Sequence, residues 1–213
     1  MRRLSIVLVT VSSVLLCVAV AFILFLIVDA GGGAVYKNVS RAMEPALLDG
    51  DRFTVRLLPR GKLNLTRGEL VTHAWPPDPS KRFVKRVLGL PGDTLAMREG
   101  VLQLNGRALS EPYAWHEEPS IDPVTEDFQW QRRYLVAHER RAQYVPSRNN
   151  WGPIVVPASE CFVLGDNRDN SLDSRYWGFV PIKDVLGLAR RVYYSSDPVT
   201  GRVRWSRLGH LLR

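Results

Sequence analysis

Three short polar segments of this 213-residue chain hold the residue types that chemistry needs. The first runs Ser40-Arg41-Ala42-Met43-Glu44-Pro45 and on to Gly50-Asp51. Pro45 fixes one φ angle and Gly50-Asp51 make a turn ahead of a strand, a setting that suits a nucleophilic side chain. Yet the residue before Met43 is Ala42, whose methyl group cannot attack anything. The second segment, 83–93, places Lys85 inside an otherwise apolar strand. Alternation puts Phe83 and Lys85 on one face and Val84 and Arg86 on the other. A lysine there is either an edge-strand guard against aggregation or a desolvated amine. In the second case burial lowers its pKa and leaves a neutral nitrogen that can accept a proton. The third segment, Gly165 to Phe179, crowds Asp166, Asp173, Arg175 and Ser171 behind an apolar run. It is not a calcium loop: counted from Asp166, Ser171 falls where glycine belongs and Trp177 where the bidentate glutamate belongs. What remains is a polar turn network, with Asp173 pairing to Arg175 or Arg86 and carboxylates capping backbone donors.

These segments need elements to hold them, and the pattern around them is strand-like. Short β-branched or aromatic runs at 52–58, 69–75, 81–90, 100–109 and 189–196 are separated by Gly, Pro, Asn and Asp. Asn105-Gly106 between two apolar runs signals a hairpin. Long amphipathic helical periodicity is absent, so the expected fold is a mainly β, antiparallel-sheet domain. Residues 110–155 are rich in Pro, acids and Trp with weak periodicity, which predicts a loop-rich insertion lobe at about 97–158. Its aromatics, Tyr113, Trp115, Phe128, Trp130 and Trp151, are better suited to packing that lobe than to binding a ligand. The terminal stretch 202–213 mixes Arg with Trp205, Leu208, Leu211 and Leu212. It reads equally as a short amphipathic segment on a membrane or as a frayed basic tail.

Leu4 to Val28 form 25 positions interrupted only by Ser5, Thr10, Ser12 and Ser13. At ~1.5 Å per residue a helix of that length reaches roughly 38 Å, enough to cross a bilayer with tilt. The run is too long for the apolar core of a cleaved leader. Arg2 and Arg3 precede it, so residues 1–3 are expected in the cytoplasm, 4–28 in the membrane and 29–213 outside. Net charge is +8 with pI near 9.9. Scattered basic residues beside a membrane-directed N-terminus suggest anionic lipid rather than nucleic acid as the partner surface. Cys17 and Cys161 fall on opposite sides of that division and cannot pair. The four histidines are far apart in sequence, and neither a metal nor another cofactor is expected.

Together the three segments resemble the bacterial type I signal peptidases. The family carries Ser-x-Ser-Met-x-Pro-x-Leu, here Ser40 to Leu47 with Ala42 in place of the second serine. It carries Lys-Arg-x-x-Gly-Leu-Pro-Gly-Asp, here Lys85 to Asp93, and the long motif complete here from Gly165 to Pro181. The resemblance implies a bacterial plasma-membrane serine endopeptidase with a serine–lysine dyad, one N-terminal anchor and an extracytoplasmic catalytic domain. Its substrates are preprotein signal peptides, cut after small residues at −1 and −3. Carried over, the nucleophile position is Ala42, Lys85 is the general base and Ser171 orients it. Ser40 joins the backbone N–H of residue 42 in an oxyanion hole. Asp166, Arg86, Asp173 and Arg175 form a structural network. Residues 36–41 and 82–85, with Met43, are expected to flank a substrate bound as an extended strand, giving Tyr36, Asn38, Val39, Arg41, Met43, Phe83 and Val84 as contacts. Arg41 stands where the family commonly has glycine. With Ala42 the chain as written is expected not to cleave. Since every other reacting residue is retained, the alanine reads as an engineered or single-step loss from an active peptidase, with a natural non-catalytic signal-peptide binder or scaffold as the alternative. Other users of such a dyad fit less well: the anchor argues against a repressor-type autoprotease, and the complete third motif and long insertion argue against the mitochondrial type. The oligomeric state is left open, with a monomer as the default.

Overall fold

The computed structural model describes residues 10–23, 33–59, 64–117, 121–137 and 142–213. Eleven strands form two antiparallel sheets. The larger contains β1 (Ala34–Lys37), β2 (Asp51–Leu57), β11 (Val185–Ser195), β3 (Leu70–Trp75), β4 (Asp78–Gly89), β9 (Glu160–Leu164) and β10 (Val180–Pro181), in that spatial order. The smaller contains β7 (Arg107–Ala108), β6 (Val101–Leu104), β5 (Thr94–Arg98) and β8 (Trp151–Val155), in that order. The expected strands and the Asn105-Gly106 turn are found within a few residues of their anticipated bounds. Asn105 takes φ 51° and Gly106 φ 80°, as a two-residue turn with both centres left-handed requires.

Residues 10–23 form a helix, α1, whose side chains are exposed throughout. The span expected from Leu4 to Val28 runs beyond it at both ends, outside the described residues. Among the described residues no helix is long and apolar enough to cross a membrane.

The stretch expected to be a loop-rich insertion is instead built on the four-stranded sheet, which begins at Thr94. It adds one 3-10 helix, Glu126–Tyr134, capped by Thr125. The β6–β7 hairpin was anticipated at 100–109, whereas β5 and β8 escaped the sequence reading because each is five residues long and β8 contains Pro153. The lobe has its own core, in which Leu95, Met97, Leu102, Trp151 and Ile154 pack on Leu88, Phe162 and Leu164 from the larger sheet. Its entry and exit are pinned together: Gly92 N donates to Val156 O at 2.9 Å and Val156 N to Asp93 O at 2.9 Å. The near side of the lobe braces the third motif. Trp130 Nε1 donates to Arg175 O at 2.9 Å, Trp115 N to Asp166 O at 2.8 Å, and Arg168 forks onto Glu111 at 2.6 and 3.0 Å.

The C-terminal stretch is not frayed but packed on the domain, with Trp205, Leu208 and Leu211 left exposed. Leu212 N donates to Arg190 O, and Leu212 is buried beside Met43, Leu47 and Phe53. Arg204 donates to Asp49 O at 2.7 Å and Arg207 to Ala46 O at 2.8 Å. Arg207 also pairs with Asp51 Oδ2, an oxygen of a fully buried carboxylate that accepts from Leu48 N at 2.9 Å as well. The basic residues that suggested a solvated tail thus spend their charge on the first motif's carbonyls and on Asp51. Removing one partner strands a buried charge, which is costly. Arg207→Ala should therefore lower stability by roughly 3 kcal/mol, measured as a lower urea midpoint at unchanged slope; an unmoved midpoint would show that the pair contributes nothing.

Candidate active site

The first and second motifs meet across a cleft of about 310 Å³. One wall is residues 36–40 with Ala42 and Met43; the other is residues 82–85. The sheet geometry explains the opening. β4 pairs with β3 from Asp78 to Arg86, but β9 joins its other edge only from Arg86 onward. Residues 82–85 therefore have a sheet neighbour on one side only, and the cleft lies on the other.

Lys85 sits at the end of this open stretch, opposite Val71. It is buried, only 5% exposed, so it is not an aggregation guard facing water. Burial pushes its amine down from 10.5 to about 8; the Asp173 carboxylate pulls upward and the Arg175 guanidinium adds a further push down. Its Nζ lies 5.6 Å from the centre of the Phe83 ring. His73, opposite Phe83, is wholly buried and kept neutral, with a pKa lowered to about 4 by desolvation. Among the described residues no carboxylate lines the cleft to restore a full positive charge on the amine.

Ala42 is 6% exposed and its backbone is held from two directions. Its N–H donates to Ser40 Oγ at 3.1 Å, and its carbonyl accepts from Asn167 N at 3.2 Å. The two groups implied as an oxyanion hole are adjacent, but they bond each other, so a substrate oxygen would have to displace the amide from the hydroxyl. Ser171 is buried, and its hydroxyl has no hydrogen-bond partner among the described residues. The contact by which it was expected to orient Lys85 is not formed; the Lys85 amine lies over the Phe83 ring.

Gly165 brings these pieces together and went unnoticed in the sequence. A Cβ there would lie 2.2 Å from Ser171 Oγ and 2.5 Å from Ala42 O. Only a hydrogen atom lets the third motif approach the first this closely. The structural network resolves into two separate ion pairs. Asp173 pairs with Arg175 at 2.8 Å and caps α2 (Ser174–Trp177), while its other role is to accept from Gly165 N at 3.1 Å. Arg86 pairs not with Asp173 but with Asp166, through bonds of 2.6 and 2.7 Å. Lys85 and Arg86 point to opposite faces of β4, so Arg86 cannot reach the Lys85 side.

Of the expected substrate contacts, Tyr36, Asn38, Val39, Met43, Phe83 and Val84 line the cleft. Asn38 is committed elsewhere as well: its side chain donates to Ser40 O at 2.7 Å and Leu48 O at 2.9 Å, tying the motif into a loop. Arg41 does not line the cleft. It turns outward to Glu44 at 3.1 Å and Glu117 at 3.0 Å. Lys37 and Arg82, from the two expected flanking segments, line it too, and Phe53, Thr72, Asn170 and Leu172, which were not anticipated, complete the lining.

With this geometry in place, comparison with known proteins is informative. Residues 7–194 match the family profile described as signal peptidase, peptidase S26, and the chain belongs to that family. Signal peptidase I of Bacillus licheniformis is 32% identical over 183 residues, covering 85% of this chain and 88% of the relative. Signal peptidase I of Pseudomonas aeruginosa is 33% identical over 158 residues, 67% of this chain and 55% of the relative. The probable signal peptidase I-2 of a Synechocystis species is 34% identical over 156 residues, 70% and 58% respectively. The chain thus spans little more than half the length of the latter two. A crystal structure of a signal peptidase I from Enterococcus faecalis is 30% identical and superposes with a TM-score of 0.40 over 59% of this chain and 97% of its own.

Two outcomes follow from the site's packing. Gly165→Ala should force the third motif away from residue 42 and lower the melting temperature by several degrees; a variant with the parent's melting curve would show that the approach is slack. Lys85 has a folded pKa of about 8 against 10.5 unfolded, so between these values the unfolded chain binds more protons and stability rises with pH. Lys85→Met should melt higher than the parent at pH 7, with the gap narrowing as pH rises past 8; a gap independent of pH would mean that the amine is not desolvated.

Proposed function

We propose that this chain is a membrane-anchored endopeptidase of the signal peptidase I type whose nucleophile position is blank. The observation that carries the reading is that a buried lysine and residue 42 line one cleft. A hydroxyl at 42 would give its proton to the neutral Lys85 amine as it attacked a peptide carbonyl. The Ser40 hydroxyl, and the residue 42 amide once released from it, would meet the developing oxyanion. Ser171, with an unsatisfied hydroxyl beside the same backbone, is placed to accept or donate once the amine swings from Phe83. An extended peptide would add to the unpaired edge at 82–85, with its small −1 and −3 side chains toward Val84, Val39 and Phe83. Residues 4–28 would serve as the anchor, with 1–3 cytoplasmic and the β domain outside, facing exported preproteins at the plasma membrane.

As written, the chain would bind such peptides without cutting them, since losing a serine nucleophile costs about a million-fold in kcat. The alanine itself favours a second reading, a natural signal-peptide binder that never cleaves. One experiment separates them. Ala42→Ser, purified in detergent, should cleave a preprotein after an Ala-x-Ala site, and adding Lys85→Met should abolish this. Because the amine must be unprotonated, the rate should climb with pH through a midpoint near 8 and level off above it. A revertant that cuts no preprotein would leave the binder as the surviving reading.

A further inference from the structure

The cleft has a charge pattern that the proton-transfer chemistry does not use. Besides Lys85, its lining includes Lys37 and Arg82, and among the described residues it includes no Asp or Glu. Both side chains are exposed, and among the described residues neither is in an ion pair. Arg82 Nη1 is steered by carbonyls of its own turn, those of Pro79 and Lys81, which place the guanidinium without neutralising it.

Their position along the cleft is set by the sheet. β1 and β4 are separated by three strands, β2, β11 and β3, each antiparallel to its neighbour, so β1 and β4 run in the same direction. Lys37 is on β1, upstream of residue 42, and Arg82 is on β4, three residues upstream of Lys85. Both cations line the one cleft, on strands that run in parallel. At ~3.3 Å per strand residue, Arg82 lies roughly 10 Å from the level of Lys85 along the strand. A peptide lying along 82–85 would have its residue three or four positions from the reacting bond between them. A cleft lined by one sign of charge and walled by apolar side chains concentrates its field on whatever lies inside.

We propose that Lys37 and Arg82 form a charge filter at the mouth of the cleft. It favours peptides with an acidic residue three or four positions to one side of the scissile bond and disfavours those with a basic residue there. The selectivity rests on the functional reading above. It is testable in the chain as it stands, because Ala42 allows binding to be measured without turnover. Fluorescein-labelled Ala-x-Ala peptides carrying a single Asp or Lys at each position from five before to five after the cleavage point are titrated by anisotropy at low salt. At one position, three or four residues out, the Asp peptide should bind about five- to ten-fold tighter than the Lys peptide, as expected for one or two partly exposed ion pairs. The ratio should shrink toward one as salt approaches 1 M, where the screening length falls to ~3 Å. It should invert in Arg82→Glu and Lys37→Glu. Equal affinities at every position, or a preference unchanged by both reversals, would overturn the filter. The Ala42→Ser revertant separates the two failures. If it cleaves with no charge preference, the filter alone is wrong; if it neither cleaves nor binds any peptide, the functional reading falls and the filter with it.

Discussion

A lysine accepts protons near neutral pH only where water cannot solvate its ammonium, and that requirement organises this fold. The amine of Lys85 is displaced to about 8 chiefly because it is buried. Burial demands an apolar strand, a sheet neighbour on one side and a wall on the other. β3 supplies the neighbour through Val71, and the loop at 38–43 with the ring of Phe83 supplies the wall. Yet the same nitrogen must face a cleft. The structure meets both demands by ending β9 one residue short, so that β4 is enclosed from Arg86 onward and open before it.

The rest of the machinery keeps charges near the lysine without letting them neutralise it. Asp173 and Asp166 both lie close enough to raise its pKa, and each is engaged by its own arginine. The loop carrying residue 42 is gripped from behind by Arg204, Arg207 and Leu212 and from the side by Asn167 and Gly165. Position 42 is thereby fixed by backbone contacts that do not involve its own side chain. An alanine there leaves those backbone contacts intact.

Much of this was legible in the residues. Strand positions followed from alternation, and the ambiguity over Lys85 was resolved only by burial, which no local pattern reports. What stayed hidden was set by long-range contact. Arg86 pairs with Asp166 rather than Asp173 because strand alternation turns it to the other face from Lys85, a fact available from period two but masked by the proximity of Asp173 and Arg175 in sequence. The role of Gly165 needs two distant segments to touch. Asn38 looked like a substrate contact but mostly ties its own loop. The terminal arginines looked solvated because their partners, Asp49, Ala46 and Asp51, lie over 150 residues away. Within the lobe the Asn105-Gly106 hairpin was legible, but β5 is too short and β8, interrupted by Pro153, too irregular to announce themselves.

The neck at Asp93 and Val156 has a consequence for how such a protein can change. Everything between those residues leaves and rejoins the larger sheet through one hydrogen-bonded crossing. Closing a longer loop over fixed ends adds only about 0.6 kcal/mol per doubling of its length. Growth at the exposed hairpin turn, Asn105-Gly106, would therefore be almost invisible to the amine and the loop facing it. The near side, where Trp115, Trp130 and Glu111 hold the turn after Gly165, has no such freedom. Relatives should thus differ most in bulk at one rim of the molecule while keeping an unvarying seam where that bulk meets the catalytic sheet.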